Sequence, residues 1–174
     1  MKLKKTILNG EGVVLRPYVL KDAQQFSKLG ESNWRIGKIN TLKKAKKWIK
    51  KSWVENSCYF GVFLKEDNKL IGNVELCHMN WWQNKAGEIC YMIKKEYRGK
   101  GYAKEASKIL INHCFKKLRF HKIYADTDHD NIISQKVLEK LGFRFEGRIR
   151  EKHLVNGRWK DEMDYGLLRK EWKK

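Results

Sequence analysis

The sequence predicts an α+β fold: a mixed, mostly antiparallel sheet of about seven strands flanked by about four helices. Three observations carry this. Short runs rich in Val, Ile, Phe and Tyr recur between glycine-bearing or polar turns and read as strands. Stretches with apolar residues at steps of three and four read as helices. The strands are grouped, three in mid-chain and two at the end, which the strand–helix alternation of a parallel sheet would not give. At 174 residues the chain reads as one domain over 1–174, able to bury about 70% of its unfolded surface without a disulfide or metal staple.

The elements follow in order. Residues 13–16 form a first strand, stopped by Pro17. Asp22 is placed to cap a short helix carrying Ala23, Phe26 and Leu29, closed by Gly30. A second helix, capped by Thr41, carries Leu42, Ala45, Ile49 and Trp53 on one side. Residues 58–64 and 70–78 form a hairpin across the polar turn 66–69. A loop over 79–87 carries Trp81 and Trp82. Residues 88–94 form a strand, and a glycine-rich turn leads into a long helix over about 100–118, with Ala103, Ala106, Leu110 and Cys114 as its buried stripe. A strand over 122–127 is followed by polar, cap-like Asp128-His129-Asp130. The next helix carries Ile133, Val137 and Leu141 and is closed by Gly142. Strands over 143–150 and 159–169 are joined through Asn156-Gly157, a hairpin-turn dipeptide.

Composition narrows the function. Lys and Arg number 39 against 20 Asp and Glu, a net charge of +19, with 41% apolar and 12% aromatic residues. That much apolar surface builds a core, so the charge does not signal disorder. No stretch approaches the ~20 apolar residues of a bilayer helix. The apolar run at the basic start is only Ile7-Leu8, too short for a signal peptide. A cytoplasmic protein with no membrane role is expected. Cys58, Cys77, Cys90 and Cys114 have no zinc spacing and read as reduced, buried thiols, with no metal implied. Lysines outnumber arginines 30 to 9, which suits a diffuse positive field better than bidentate base readout. The densest run is Lys43, Lys44, Lys46, Lys47, Lys50 and Lys51. It fits either a solvated helix face or a surface that attracts a polyanion, such as a phosphorylated cofactor, an acidic protein or RNA.

The segment 88–103 carries the chemistry. A strand runs into Arg98-Gly99-Lys100-Gly101 and on into a helix. Glycines let the backbone bend and approach a ligand closely. The first helical N–H groups point outward at the positive end of the dipole, a ready pyrophosphate site. A Walker loop is absent, and the dinucleotide fingerprint fails because Lys104 stands where its third glycine would be.

Arg98-Gly99-Lys100-Gly101-Tyr102-Ala103 resembles the R/Q-x-x-G-x-G/A signature of the GNAT superfamily, which transfers acyl groups from coenzyme A to amines. Asn131-Ile132-Ile133-Ser134 with Leu141-Gly142-Phe143 resembles the family's later N-x-x-S…GF element. Glu146-Gly147, Asn156-Gly157 and the ending from Asp164 to Trp172 resemble the RimJ/RimL-like branch, the ribosomal-protein N-terminal acetyltransferases and their relatives. The similarity spans about residues 11–172.

The resemblance implies acetyl-CoA as co-substrate. It assigns the pantetheine arm to the main chain of Tyr91, Met92 and Ile93, and the pyrophosphate to the amides of Arg98, Gly99, Lys100, Gly101, Tyr102 and Ala103. Asn131 would bond the cofactor arm and Ser134 would lie near the thioester sulfur. Catalysis then needs a neutral amine, an oxyanion donor and a proton for the thiolate, which Ser134 could give. Two bases are open. Glu88 lies on the central strand, where some members place a carboxylate. His153 stands, by spacing from Ser134, where some ribosomal N-terminal acetyltransferases carry a glutamate. Ser134, Glu88, His153 and a further carboxylate, Glu75, each also fit a structural role.

The acceptor site of the family corresponds to Trp34, Arg35, the lysine helix and Trp81-Trp82. With so positive a chain, the expected acceptor is neutral or anionic, such as the N-terminus of an acidic or ribosomal protein, and polycations are expected to be repelled. A terminal α-amine, near pKa ~8, is partly neutral at pH 7 where lysine is not. Two other readings stand: acetylation of a small amine such as an antibiotic or sugar, and a non-catalytic RNA- or ribosome-binding protein on the same fold, touching nucleic acid through its basic surface. The oligomeric state is left open.

Overall fold

The computed structural model describes residues 6–29, 39–51, 57–80 and 85–173. Among these the elements in chain order are β1 (Leu8–Asn9), β2 (Val13–Pro17), α1 (Ala23–Ser27), α2 (Leu42–Lys51), β3 (Cys58–Leu64), β4 (Leu70–Asn80), β5 (Ala86–Ile93), α3 (Tyr102–Lys116), β6 (Lys122–Asp128), α4 (Ile132–Lys140), β7 (Arg144–Val155) and β8 (Arg158–Leu168). The strand order is β1-β2-β3-β4-β5-β6-β8-β7. β5 and β6 run parallel, and α3 is the crossover a parallel pair requires. The other registers, β1–β2, β2–β3, β3–β4, β6–β8 and β7–β8, are antiparallel. The α+β class therefore holds. The eighth strand is the two-residue β1, too short to leave an alternation in the sequence.

Two compact units divide the chain, residues 1–78 with 90–110, and residues 79–89 with 111–174. In the first, Phe63 and Leu70 pack with Tyr18, Phe26, Ala45 and Ile49. The lysine helix differs from its expected stripe: Leu42 is exposed, and Trp48 instead stacks on Phe26 at 4.8 Å. Trp53 lies outside the described residues, as do Gly30, Trp34, Arg35, Trp81 and Trp82. Thr41 caps α2 as expected, its Oγ1 accepting from Lys44 N–H at 3.3 Å. Asp22 does something else. Its carboxylate grips Arg16 at 2.7 and 2.9 Å and accepts from Val19 N–H at 2.8 Å. A buried carboxylate needs a charged partner more than a helix needs a cap.

The second unit holds β6, α4 and the long β7–β8 hairpin. Asn156 and Gly157 both have positive φ, +51° and +76°, as a two-residue turn of this kind demands. Gly142 closes α4, with Phe143 N–H on Leu138 O at 3.1 Å. Ile133 departs from its predicted buried place and is 79% exposed; Leu138 is the α4 residue that is buried. The predicted loop over 79–87 is shorter than expected, because β4 runs on to Asn80 and β5 begins at Ala86. Cys58, Cys77 and Cys114 are buried and Cys90 is half-buried, none of the four in a disulfide.

Candidate functional site

In the first unit, β5 passes through a 3-10 turn over Lys95–Tyr97 into the glycine turn and then α3. Gly99 and Gly101 take φ of +78° and +84°, which side chains rarely adopt. A Cβ built on either would meet nothing within 4 Å. The turn thus presents bare backbone to open space directly before a fifteen-residue helix. That matches what a diphosphate needs: close approach, outward amides and the positive end of a dipole.

Arg98 does not serve this turn as the sequence suggested. Its N–H is taken by Lys95 O at 3.2 Å, so it is not among the amides offered to a phosphate. Its Nε donates to Ile93 O at 2.9 Å. Arg98 therefore ties the start of the turn to the end of β5. Lys100 stands exposed beside it, its Nζ 5.7 Å from the Tyr97 ring centre, and keeps positive charge at the rim. Tyr102 and Ala103 open α3 and are half-buried.

Glu105, in the first turn of α3, would oppose an anion at that helix end. Instead its Oε1 accepts from the N–H groups of Gly12 at 2.9 Å and Val13 at 3.3 Å. The sequence reading missed this anchor. Its signal is the Asn9-Gly10-Glu11-Gly12 turn: a Cβ on Gly10 would lie 2.3 Å from the Glu105 carboxylate.

On β5, Tyr91 and Met92 are half-buried and Ile93 is buried. The parallel ladder to β6 runs from Ala86↔Lys122 to Glu88↔Tyr124. The Tyr91–Ile93 main chain lies outside that ladder. Glu88 sits on the last rung, 3% exposed. Glu75, on β4, is fully buried.

In the second unit, Asn131 and not Asp128-His129-Asp130 caps α4: its Oδ1 accepts from Ser134 N–H at 3.2 Å. The two residues singled out from the N-x-x-S element are thus brought together, with Ser134 half-buried on the first helical turn. The cap is braced by Gln135 Nε2 on His129 O at 2.9 Å and by Lys160 Nζ on Asp130 Oδ2 at 2.7 Å. The Lys160 ammonium holds the Asp130 carboxyl below the usual range.

His153 lies on β7, its Nε2 2.6 Å from Oε2 of Glu162 on β8. Glu162 is buried, and burial together with the Glu162 charge raises Asp164 above the usual carboxylate range. Asp126 stands opposite Asp164, and Asp128 opposite Glu162, across β6–β8. Residues opposite one another in such a ladder share a face. Four carboxylates therefore lie together on one face of a strongly basic protein. The sequence reading missed Glu162; only register could have brought it to His153.

A family model described as "Acetyltransferase (GNAT) domain" matches residues 13–144. The chain is 31% identical over 134 residues to the uncharacterized N-acetyltransferase YnaD of Bacillus subtilis, covering 77% of this chain and 78% of that protein. It is 33% identical over 95 residues to the spermidine N(1)-acetyltransferase of Escherichia coli K12, covering 55% and 50% respectively. Among solved structures, the ribosomal-protein-S5-alanine acetyltransferase of Vibrio fischeri superposes with a TM-score of 0.80 at 25% identity, covering 98% of this chain and 100% of that one.

Proposed function

We propose that this chain, which belongs to the GNAT acetyltransferase family, acetylates a protein N-terminal α-amino group from acetyl-CoA, in the manner of the RimJ/RimL-like branch. The observation that carries the donor half is the left-handed Gly99–Gly101 turn with open space over both Cα atoms. Gly99, Lys100, Gly101, Tyr102 and Ala103 hold the pyrophosphate, Lys100 adding charge, and Arg98 keeps the turn on β5. The Tyr91–Ile93 main chain takes the pantetheine arm, and a main-chain N–H there steadies the oxyanion.

The amine nitrogen attacks the thioester carbonyl carbon, the C–S bond breaks, and the amine's proton passes to a base. The thiolate is protonated through Ser134, whose hydroxyl recovers a proton from water. Asn131 fixes the helix turn that carries Ser134, and the amide N–H of Asn131 is the donor this reading assigns to the cofactor arm. His153 is the base. Glu88, on the last β5–β6 rung, holds a structural place where the strands part. The α-amine acceptor is supported by the match along the whole Vibrio fischeri chain and by the partial neutrality of α-amines near pH 7.

A second acceptor, a small polycationic amine, is favoured by one observation: the four carboxylates on the β6–β8 face. Incubation with acetyl-CoA and a panel of N-terminal peptides, spermidine, other small amines and sugar amines decides between them, with free thiol release as readout. Peptide turnover well above that of any small amine supports the first reading. Spermidine as the best substrate replaces it with the second. Salt-sensitive RNA binding without acetyl-CoA binding would remove both.

A further inference from the structure

A break in the β7–β8 ladder decides which residue faces Glu162. Ile149 stands opposite Glu162, yet the next registered pair is His153 opposite Lys160. β7 thus spends four steps where β8 spends two, a bulge of two extra residues. Lys160 and Glu162 share a face of β8, because alternate residues do. In an unbroken ladder the residue opposite Lys160 would be Glu151, and a second carboxylate would lie beside Glu162. The bulge replaces it with an imidazole.

This bulge is held in place. Glu151 takes φ +50°, a conformation uncommon for a residue with a side chain. Its N–H donates to Asp161 Oδ1 at 2.8 Å, and Arg148 Nε donates to Asp161 Oδ2. Bulges re-aim side chains beside functional sites. Here the re-aimed group is His153, which reaches the buried Glu162 at 2.6 Å.

From this geometry we infer that Glu162 is a positioning residue for acetyl transfer: it accepts the His153 Nε2–H, so that His153 keeps its lone pair on Nδ1 to take the amine's proton. The inference rests on the acetyltransferase reading and on His153 as base. A carboxylate that fixes the tautomer and orientation of an imidazole base is an arrangement with a known catalytic logic. Several charged groups among the described residues face the pair. Lys152 Nζ lies 3.7 Å from Glu162 Oε1. Asp164 neighbours Glu162 along β8, and Asp128 stands opposite it. Lys160, opposite His153, is engaged by Asp130 at 2.7 Å and Asp128 at 3.6 Å.

The test is a double-mutant cycle on the full chain, His153→Ala and Glu162→Gln, with turnover, acetyl-CoA KM and Tm recorded for each. Alone, Glu162→Gln should lower kcat roughly tenfold to a hundredfold, with acetyl-CoA KM within about twofold, because only proton transfer is touched. In the His153→Ala background it should change kcat less than about twofold, since the two act as a unit. Equal losses in both backgrounds, or wild-type kcat in Glu162→Gln, overturn the inference. Wild-type turnover in His153→Ala overturns it too and leaves acetyl transfer standing. No thiol release from the wild type with any amine removes the acetyltransferase reading instead. The 15N spectrum of the wild-type imidazole decides independently of activity: a neutral ring protonated on Nε2 supports the pair, and one protonated on Nδ1 refutes it.

Discussion

Gly72→Ala tests whether the main chain proposed to hold the pantetheine arm is fixed by its neighbour. Gly72 lies on β4, and a Cβ built there would sit 2.2 Å from the carbonyl oxygen of Met92 and 2.7 Å from the Ile93 side chain. Ordinary contact begins at 3.4 Å, so the methyl demands a shift of about 1 Å from backbone that cannot rotate away. Lys94 N–H on Ile71 O at 2.8 Å anchors the same stretch and resists the shift. Forced overpacking of this kind costs about 1–3 kcal/mol. For a chain of this length each kcal/mol lowers Tm by about 2–4 °C, so a fall of roughly 2–12 °C is expected. The same displacement moves the Met92 carbonyl, and acetyl-CoA should bind more weakly by calorimetry. Gly166→Ala supplies the comparison: its Cβ would lie 2.1 Å from Glu146 Oε1, but that atom ends a flexible, exposed side chain whose other oxygen accepts from Lys122. It should cost little. If Gly72→Ala and Gly166→Ala were equally harmless, the claim that β4 pins this part of β5 would be wrong.

Other perturbations separate binding from stability. Gly101→Glu places a carboxylate in the open space over the turn at φ +84°; acetyl-CoA KM should rise at least about tenfold through repulsion of the diphosphate, with about 1–2 kcal/mol of lost stability. Tyr18 Oη is buried with no hydrogen-bond partner among the described residues, and burial, then the Glu75 and Asp22 charges, hold its phenol above the usual range. Tyr18→Phe should therefore leave Tm unchanged or raise it, and a clear fall would show a partner. Burial pushes the Cys58 thiol up to about 12, so iodoacetamide near pH ~8 should modify it only after denaturant is added. The Glu151 N–H and Arg148 hold the Asp161 carboxyl below the usual range. Its contribution to stability is present above the unfolded value near ~3.9 and is lost as pH falls through the lower folded value. The Tm gap between wild type and Asp161→Asn should be full near neutrality and close in acid; a gap constant with pH would remove the carboxylate from the account.

What could be read in the sequence was local. The glycine turn, the Thr41 cap, the Gly142 stop and the Asn156-Gly157 hairpin depend on residues within a few positions of one another, and each holds in the fold. What could not be read depends on partners far along the chain. Arg98 was legible as a cation, but its use as a strap depends on where the Ile93 carbonyl points. Asp22 resembles a cap until Arg16 arrives from β2. Glu105 is a surface helix glutamate by pattern, and only the approach of the Gly10–Gly12 turn gives it two amides. Glu162 is one acid in Asp161-Glu162-Met163-Asp164 until the bulge in β7 sets His153 on it.

Net charge, too, is a property of the whole chain and says nothing of one face. A value of +19 argues against a polycationic acceptor only if the acceptor meets an average field. At physiological salt, charges beyond about 8 Å are largely screened. An amine docking on β6–β8, as the polycationic reading has it, would meet Asp126, Asp128, Glu162 and Asp164 within that distance. Like charges opposite one another in a ladder destabilise it, and Lys152 and Lys160 offset that cost at Glu162 and Asp128. On that reading the net positive charge of the chain governs approach from afar and the carboxylates govern contact. The two act at different ranges, so an ammonium can be disfavoured at long distance in low salt and still be welcome at the face itself. Raising salt should then speed capture of a cationic acceptor, by screening the lysines, up to the point where the carboxylates are screened as well. A rate for spermidine or a basic N-terminal peptide that falls steadily with salt from the lowest concentration would contradict this division of roles.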